Sequence, residues 1–199
     1  MRITIFLVLI LAIQQASSGH LPIHPQRCPY RQCCCCSHFV YALDESGSMR
    51  GTRWNVLRTT MSRLRNNIGD NFGKHYMTTY EFSHVAQNPN FNHRRPSLFN
   101  INILNHNGGG TNFNKALLKG ISIISGYLNE NTCFNLITDG LSSWSVATAN
   151  LFNSILQRVR RNGCKACAYC YFIKRTVTTQ LPTQFKRLCN KIGAPIRHV

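Results

Sequence analysis

Asp44, Ser46 and Ser48 stand at alternate positions in the run Leu43-Asp44-Glu45-Ser46-Gly47-Ser48-Met49. Together they place one carboxylate and two hydroxyls on a single tight loop. All three are hard oxygen donors, which suit Mg2+, Mn2+ or Ca2+ rather than zinc. One loop rarely completes the shell of such a cation, and two further stretches offer oxygen. Asn107-Gly108-Gly109-Gly110-Thr111-Asn112-Phe113 is a flexible loop that opens a helix and brings the hydroxyl of Thr111. Its glycines let the backbone turn tightly and approach an ion closely. Leu136-Ile137-Thr138-Asp139-Gly140 is an apolar run that ends in an Asp and a Gly.

Stepping along the chain, each motif falls at the end of an element able to hold it. Phe39 to Leu43 is a short apolar run of buried-strand type, and the segment Thr52 to Ile68 carries apolar residues at helical spacing. In that helix Val56, Leu57, Met61 and Leu64 share one face, while Arg53, Arg58, Arg63 and Arg65 lie largely on the other. His75 to Phe82 is a second strand, Asn88 to Arg95 a polar basic loop, and Leu98 to Leu104 a candidate edge strand. A helix from Phe113 to Leu128, a strand from Thr132 to Thr138 and a helix from Ser145 to Arg161 follow. Cys164 to Ile173 is a further strand, Thr183 to Ile192 a short helix, and Ile196 to Val199 the beginning of a last strand. Such alternation predicts an α/β fold, an open and mostly parallel doubly wound sheet with helices on both faces. Ligands of these sheets bind beyond the carboxyl ends of the strands, where the winding reverses.

Asp-x-Ser-x-Ser, then Gly-Gly-Thr, then Thr-Asp-Gly, in this order and at these element ends, resembles the von Willebrand factor type A domain. The resemblance covers roughly Ser37 to Val199. It implies the strand order 3-2-1-4-5-6, with strands one and four adjacent at the reversal. It also implies an ion site of the adhesion type. There Ser46 and Ser48 coordinate through their hydroxyls, Thr111 directly or through water, and Asp44 and Asp139 mostly through waters. The expected cofactor is Mg2+, with Mn2+ or Ca2+ as alternatives. The open position of the ion would be completed by an Asp or Glu carboxylate of a protein partner. The family usually continues with a final strand and a C-terminal helix; this chain stops at Val199, so a short last strand without that helix is expected.

Composition bears on the partner. Of six acidic residues only three are Asp, and two of those, Asp44 and Asp139, occupy proposed ligand positions. Against them stand 23 Lys and Arg, a net charge of +17 over 199 residues. The resulting positive potential favours acidic partners and slows the approach of cations. The basic pairs and clusters, Arg94-Arg95, Arg158-Arg160-Arg161 and Lys174-Arg175, would bind phosphates in a salt-dependent way. No recognised nucleic-acid motif accompanies them, so specific nucleic-acid binding is not expected.

Residues 1–18 read as a secretory signal: Arg2, then the apolar stretch Ile3 to Ile13, then Ala16-Ser17-Ser18 before the expected cleavage. That stretch is too short to cross a bilayer as a helix, which takes about 20 residues. Residues 19–36 form a leader that ends in the block Cys33 to Cys36, and 37–199 the domain. Ten cysteines agree with an oxidising, extracellular compartment. The expected pairing ties the N-terminal block to the group Cys164, Cys167 and Cys170. Cysteine-bound zinc or copper is the rival reading, weakened because residues three apart on a strand face opposite ways.

Catalysis is not expected. Metal-assisted hydrolysis needs a base or a second ion, and no His or Glu is suitably spaced near the three motifs. Glu45 reads as a solvent-facing turn residue and His106 as a solvated loop residue. The leading expectation is a secreted, cation-dependent protein-binding domain of the adhesion type. The alternative is a degenerate scaffold of the same fold that binds acidic partners or nucleic acid through its basic face without metal.

Overall fold

The computed structural model describes residues 36–68, 74–140, 142–174 and 180–199. The expected signal segment and nearly all of the Cys-rich leader lie outside the described residues. Six strands form one sheet: β1 (His38–Asp44), β2 (Tyr76–Phe82), β3 (Phe91–Arg94), β4 (Thr132–Thr138), β5 (Ala166–Phe172) and β6 (Ile196–His198). Their spatial order is β3-β2-β1-β4-β5-β6, as the resemblance to the type A domain implies, and among the described strands only β3 runs antiparallel to its neighbour. Among the described residues four helices connect them: α1 (Thr52–Ile68), α2 (Phe113–Ser125), α3 (Val146–Arg161) and α4 (Thr183–Lys191).

The central strands β1 and β4 are buried along their whole length. This is the physical reason their sequences are near-continuous apolar runs, since a parallel sheet covered on both faces offers no wet side. The main core lies on one face. Val40, Ala42, Tyr80, Phe82, Phe134, Leu136 and Phe172 of the sheet pack there against Phe113, Ala116 and Leu117 of α2, Phe152 and Leu156 of α3, and Phe185 and Leu188 of α4. Tyr41 and Leu43 alternate to the opposite face, the side on which Leu57 and Met61 of α1 are buried. Two helix starts are capped by side chains. Asn112 accepts from the Lys115 N–H at 3.2 Å and Ser145 from the Thr148 N–H at 3.1 Å.

Two sequence expectations fail at the sheet's edge. The edge strand is Phe91–Arg94, inside the stretch expected to be a polar loop, whereas Leu98 to Leu104 holds parts of two 3-10 turns, Pro96–Leu98 and Ile101–Ile103. An edge strand has one unpaired side and tolerates charge there, so polarity hid it. Pro96 opens the first turn and the Asn100 side chain accepts from the Asn102 N–H at 3.0 Å in the second, a local bond that competes with strand pairing.

Cys170 forms a disulfide with Cys189, joining β5 to α4, rather than with the N-terminal block. The end of that block does meet the expected group: Cys36 Sγ lies 3.7 Å from Cys167 Sγ. Cys167 and Cys170 sit on opposite faces of β5, which is why they have different partners. Among the described residues no helix is long and apolar enough to cross a membrane.

Candidate metal and ligand site

The carboxyl ends of β1 and β4 are neighbours, and their terminal loops converge. Ser46 N–H donates to Asp44 Oδ1 at 2.8 Å, curling the chain back on itself immediately after β1. Thr138, the last residue of β4, donates its hydroxyl to Asp44 Oδ2 at 2.6 Å. Ser46 Oγ and Ser48 Oγ are 3.0 Å apart, and Ser48 Oγ donates to Asp139 Oδ1 at 2.9 Å. Four of the five sequence-predicted residues, Asp44, Ser46, Ser48 and Asp139, are thus joined in one hydrogen-bonded chain.

The glycine loop closes over this chain through its backbone. Gly47 N–H donates to Gly109 O at 2.8 Å and Gly108 N–H to Glu45 O at 3.1 Å. Gly108 and Gly109 have φ of 78° and 99°, and a Cβ on Gly109 would lie 2.7 Å from His84 Nδ1, so glycine is required there for both conformation and space. Thr111 follows two residues later. Its carbonyl accepts from Ser142 Oγ at 2.8 Å, and it is half-buried. The structure therefore fixes the loop beside the serines through Gly108 and Gly109, not through the Thr111 hydroxyl.

Glu45 corrects the sequence reading. It is fully buried, and it holds the glycine loop. Asn107 donates to its Oε2 from the side-chain amide at 2.8 Å and from the backbone at 3.3 Å. The turn that exposes Gly47 directs Glu45 inward beneath the returning loop. His106 is also not a solvated loop residue: its Nε2 donates to Ser46 O at 2.9 Å, and its ring meets Trp54 edge-on at 5.3 Å. A third residue went unrecognised. Arg53, expected on the polar face of α1, turns its guanidinium onto Asp139 Oδ2. Helical periodicity alone could not reveal this, because the first turn of α1 is aimed by the preceding loop at the end of β4.

Burial pushes Asp44 up to about 6, against the hydrogen bonds from Thr138 and Ser46 that favour its charged form. Asp139 is compensated by Arg53. Beneath the loop, burial raises Glu81 to about 7 from an ordinary 4.5, opposed by the 2.7 Å bond from the Asn105 N–H and reinforced by Glu45. In the folded protein Glu81 keeps its proton to higher pH than in the unfolded chain, so folding stability falls as pH rises from about 4.5 to 7. Glu81→Gln is expected to flatten the fall across that window by about 2 kcal/mol, after allowance for partial solvent screening. Denaturation midpoints measured from pH 4.5 to 8 check this; an unchanged pH profile in the variant would refute it.

The oxygen set can be tested against an ion. In an octahedral Mg2+ site with bonds of about 2.0–2.1 Å, adjacent ligands lie about 2.9 Å apart; Ca2+ at about 2.4 Å spreads them to about 3.4 Å. The Ser46–Ser48 and Ser48–Asp139 oxygen spacings of 3.0 and 2.9 Å fit the smaller cation.

No protein-family model matches the chain, and no curated protein matches it. Solved structures do. A von Willebrand factor type A protein from Catenulispora acidiphila aligns over 82% of this chain and 38% of its own, at 16% identity and TM-score 0.58. The VWA domain of SpRpn10 aligns over 82% and 88%, at 9% identity and TM-score 0.59. Proximal thread matrix protein 1 from the mussel byssus aligns over 82% and 44%, at 13% identity and TM-score 0.60. The chain has the fold of von Willebrand factor type A domains.

Proposed function

We propose that this protein is a secreted, cation-dependent protein-binding domain of the adhesion type. One observation carries the reading: Asp44, Ser46, Ser48 and Asp139 converge at the adjoining carboxyl ends of β1 and β4, with Gly47 exposed above them. Ser46, Ser48, Asp139 and, from the glycine loop, Thr111 would hold the ion, with Asp44 orienting the loop from behind. When bound, Mg2+ would supply an electrophilic position for a partner's Asp or Glu carboxylate. The chain's own residues do the rest. Glu45 anchors the glycine loop through Asn107, and Arg53 neutralises the outer oxygen of Asp139. The excess of Lys and Arg would steer acidic partners toward the site.

Secretion is supported by the signal-like residues 1–18 and agrees with the Cys170–Cys189 disulfide, which suits an oxidising compartment. The His106 imidazole beside the serines is committed to the Ser46 carbonyl, which supports binding rather than turnover.

A second reading has its own observation. Arg53 already sits on Asp139, so that carboxylate is charge-compensated without an ion. A metal-independent scaffold that binds through its basic face follows from that. Capture of the purified protein on immobilised peptides bearing Asp or Glu separates the two. Retention that needs Mg2+ or Mn2+ and is lost on chelation is expected. Retention that survives chelator but collapses at high salt would favour the scaffold.

A further inference from the structure

At the opposite end of β1 from Asp44 lies a second cluster that the adhesion-type reading does not use. His38 opens β1, His93 lies in β3, and Glu130 lies in the turn between α2 and β4. Six residue steps along β1 separate His38 from Asp44, about 20 Å at the rise of a strand, so the two sites are independent.

The cluster is tightly built. The His93 ring is sandwiched between Tyr76, stacked at 4.2 Å, and Tyr127, stacked at 4.1 Å. The His38 ring meets His93 edge-on at 4.9 Å and Tyr127 at 4.8 Å. His93 Nε2 donates to both oxygens of Glu130 at 2.8 and 3.0 Å. One nitrogen from each imidazole and one Glu130 oxygen lie within 4.8 Å of one another. His93 is also the one described non-glycine residue at positive φ, 46°, a conformation uncommon for it. Its N–H donates to Thr78 Oγ1 at 3.0 Å, fixing the backbone that presents the ring.

His38 supplies the observation that points to a ligand. Its side chain is fully buried, Nε2 is bonded to Thr78 Oγ1 at 2.8 Å, and Nδ1 has no partner. A buried polar atom left unpaired is costly, and native structures rarely keep one without a reason. The bond to Thr78 is of the kind that orients a metal-ligating histidine.

We propose that His38, His93 and Glu130 form a binding site for a borderline transition cation of the Zn2+ class, with two imidazoles and one carboxylate as protein ligands and water in the fourth position. The nitrogen-rich donor set selects Zn2+ over Mg2+ and Ca2+, which prefer oxygen throughout. For the cation to take His93 Nε2, the proton on that nitrogen moves to Nδ1, the other tautomer of the ring, which frees the Nε2 lone pair and leaves Glu130 as the carboxylate. Tetrahedral ligation with bonds of about 2.0–2.1 Å sets ligand atoms about 3.3 Å apart. The cluster must therefore contract from its 4.8 Å limit, and the part-exposed side chains of His93 (21%) and Glu130 (27%) have room to do so.

Calorimetric titration of the full chain with ZnCl2, in excess Mg2+ so that the oxygen site is filled or irrelevant, tests this. One saturable Zn2+ per chain is expected. Glu130→Gln and His93→Asn should each weaken it about tenfold or more; Asn is chosen because it tolerates positive φ. Asp139→Ala should leave Zn2+ affinity unchanged, which separates this site from the one at Ser46 and Ser48. Co2+ substitution gives a readout independent of affinity: visible ligand-field bands without thiolate charge transfer. Absent saturable binding, undiminished affinity in both variants, or a thiolate charge-transfer band locating the metal at cysteine sulfur would each overturn the proposal.

Discussion

If the proposed site binds Mg2+ or Mn2+, Asp139→Ala is expected to abolish the rise in melting temperature that the ion would produce, and with it chelator-sensitive binding of acidic ligands. An ion present at a hundred times its dissociation constant stabilises the folded state by about 2.7 kcal/mol. For a domain of this size that corresponds to a shift of roughly 5–10 °C. Asp139 Oδ1 is bonded to Ser48 and Oδ2 to Arg53, so its removal acts twice. It deletes an anionic oxygen, and it leaves the Arg53 cation uncompensated beside the serines, where it repels a divalent ion. Arg53→Gln is the matched control with the opposite sign. It keeps Asp139 and removes the competing charge, so cation affinity should rise about fivefold, the equivalent of about 1 kcal/mol for a part-exposed pair. Differential scanning fluorimetry across an Mg2+ titration measures both. An ion-induced shift that persists in Asp139→Ala would remove this site from consideration.

Phe134→Ala is expected to cost about 3–5 kcal/mol and to lower the melting temperature on the order of 10 °C. Phe134 is fully buried in β4, and its ring lies 4.7 Å from that of Phe152 in α3. On its other side Gly120 of α2 lets the helix approach so closely that a Cβ there would fall 2.7 Å from Phe134 Cε2. The ring therefore fills the space between two helices and the sheet, and the cavity left by Ala cannot collapse without moving them. The pairing also predicts non-additivity. Gly120→Ala should be destabilising alone, yet less so in a Phe134→Leu background, where the clash is relieved. Urea denaturation of the four proteins of that cycle gives the coupling directly. Additive effects would mean that α2 does not pack on Phe134 as described.

The elements that carried the reading share a property: their signals are local. Val40 to Leu43, and Phe134, Leu136 and Ile137, are apolar because both sheet faces are covered, and that shows in a few nearby residues. Asp44, Ser46 and Ser48 lie within five residues of one another, so their common loop needed no tertiary information. The residues that were missed share the opposite property. Glu45 is buried only because Asn107 returns to it from the glycine loop. Arg53 faces Asp139 only because β1 and β4 are neighbours. Phe91–Arg94 is a strand only because β2 offers an unpaired edge.

By itself, then, the amino-acid order determined the alternation of strands and helices, the hard-oxygen chemistry of the loop after β1, and the glycines that let a second loop come near it. Tertiary structure alone decided which charges meet. It set Arg53 on Asp139, placed Glu45 under the loop, and brought His38, His93 and Glu130 together from three elements. The physical reason is range. Backbone propensity and hydrophobic periodicity act over a few residues, whereas the partner of a buried polar side chain is chosen by whatever the packed core carries to within hydrogen-bonding distance.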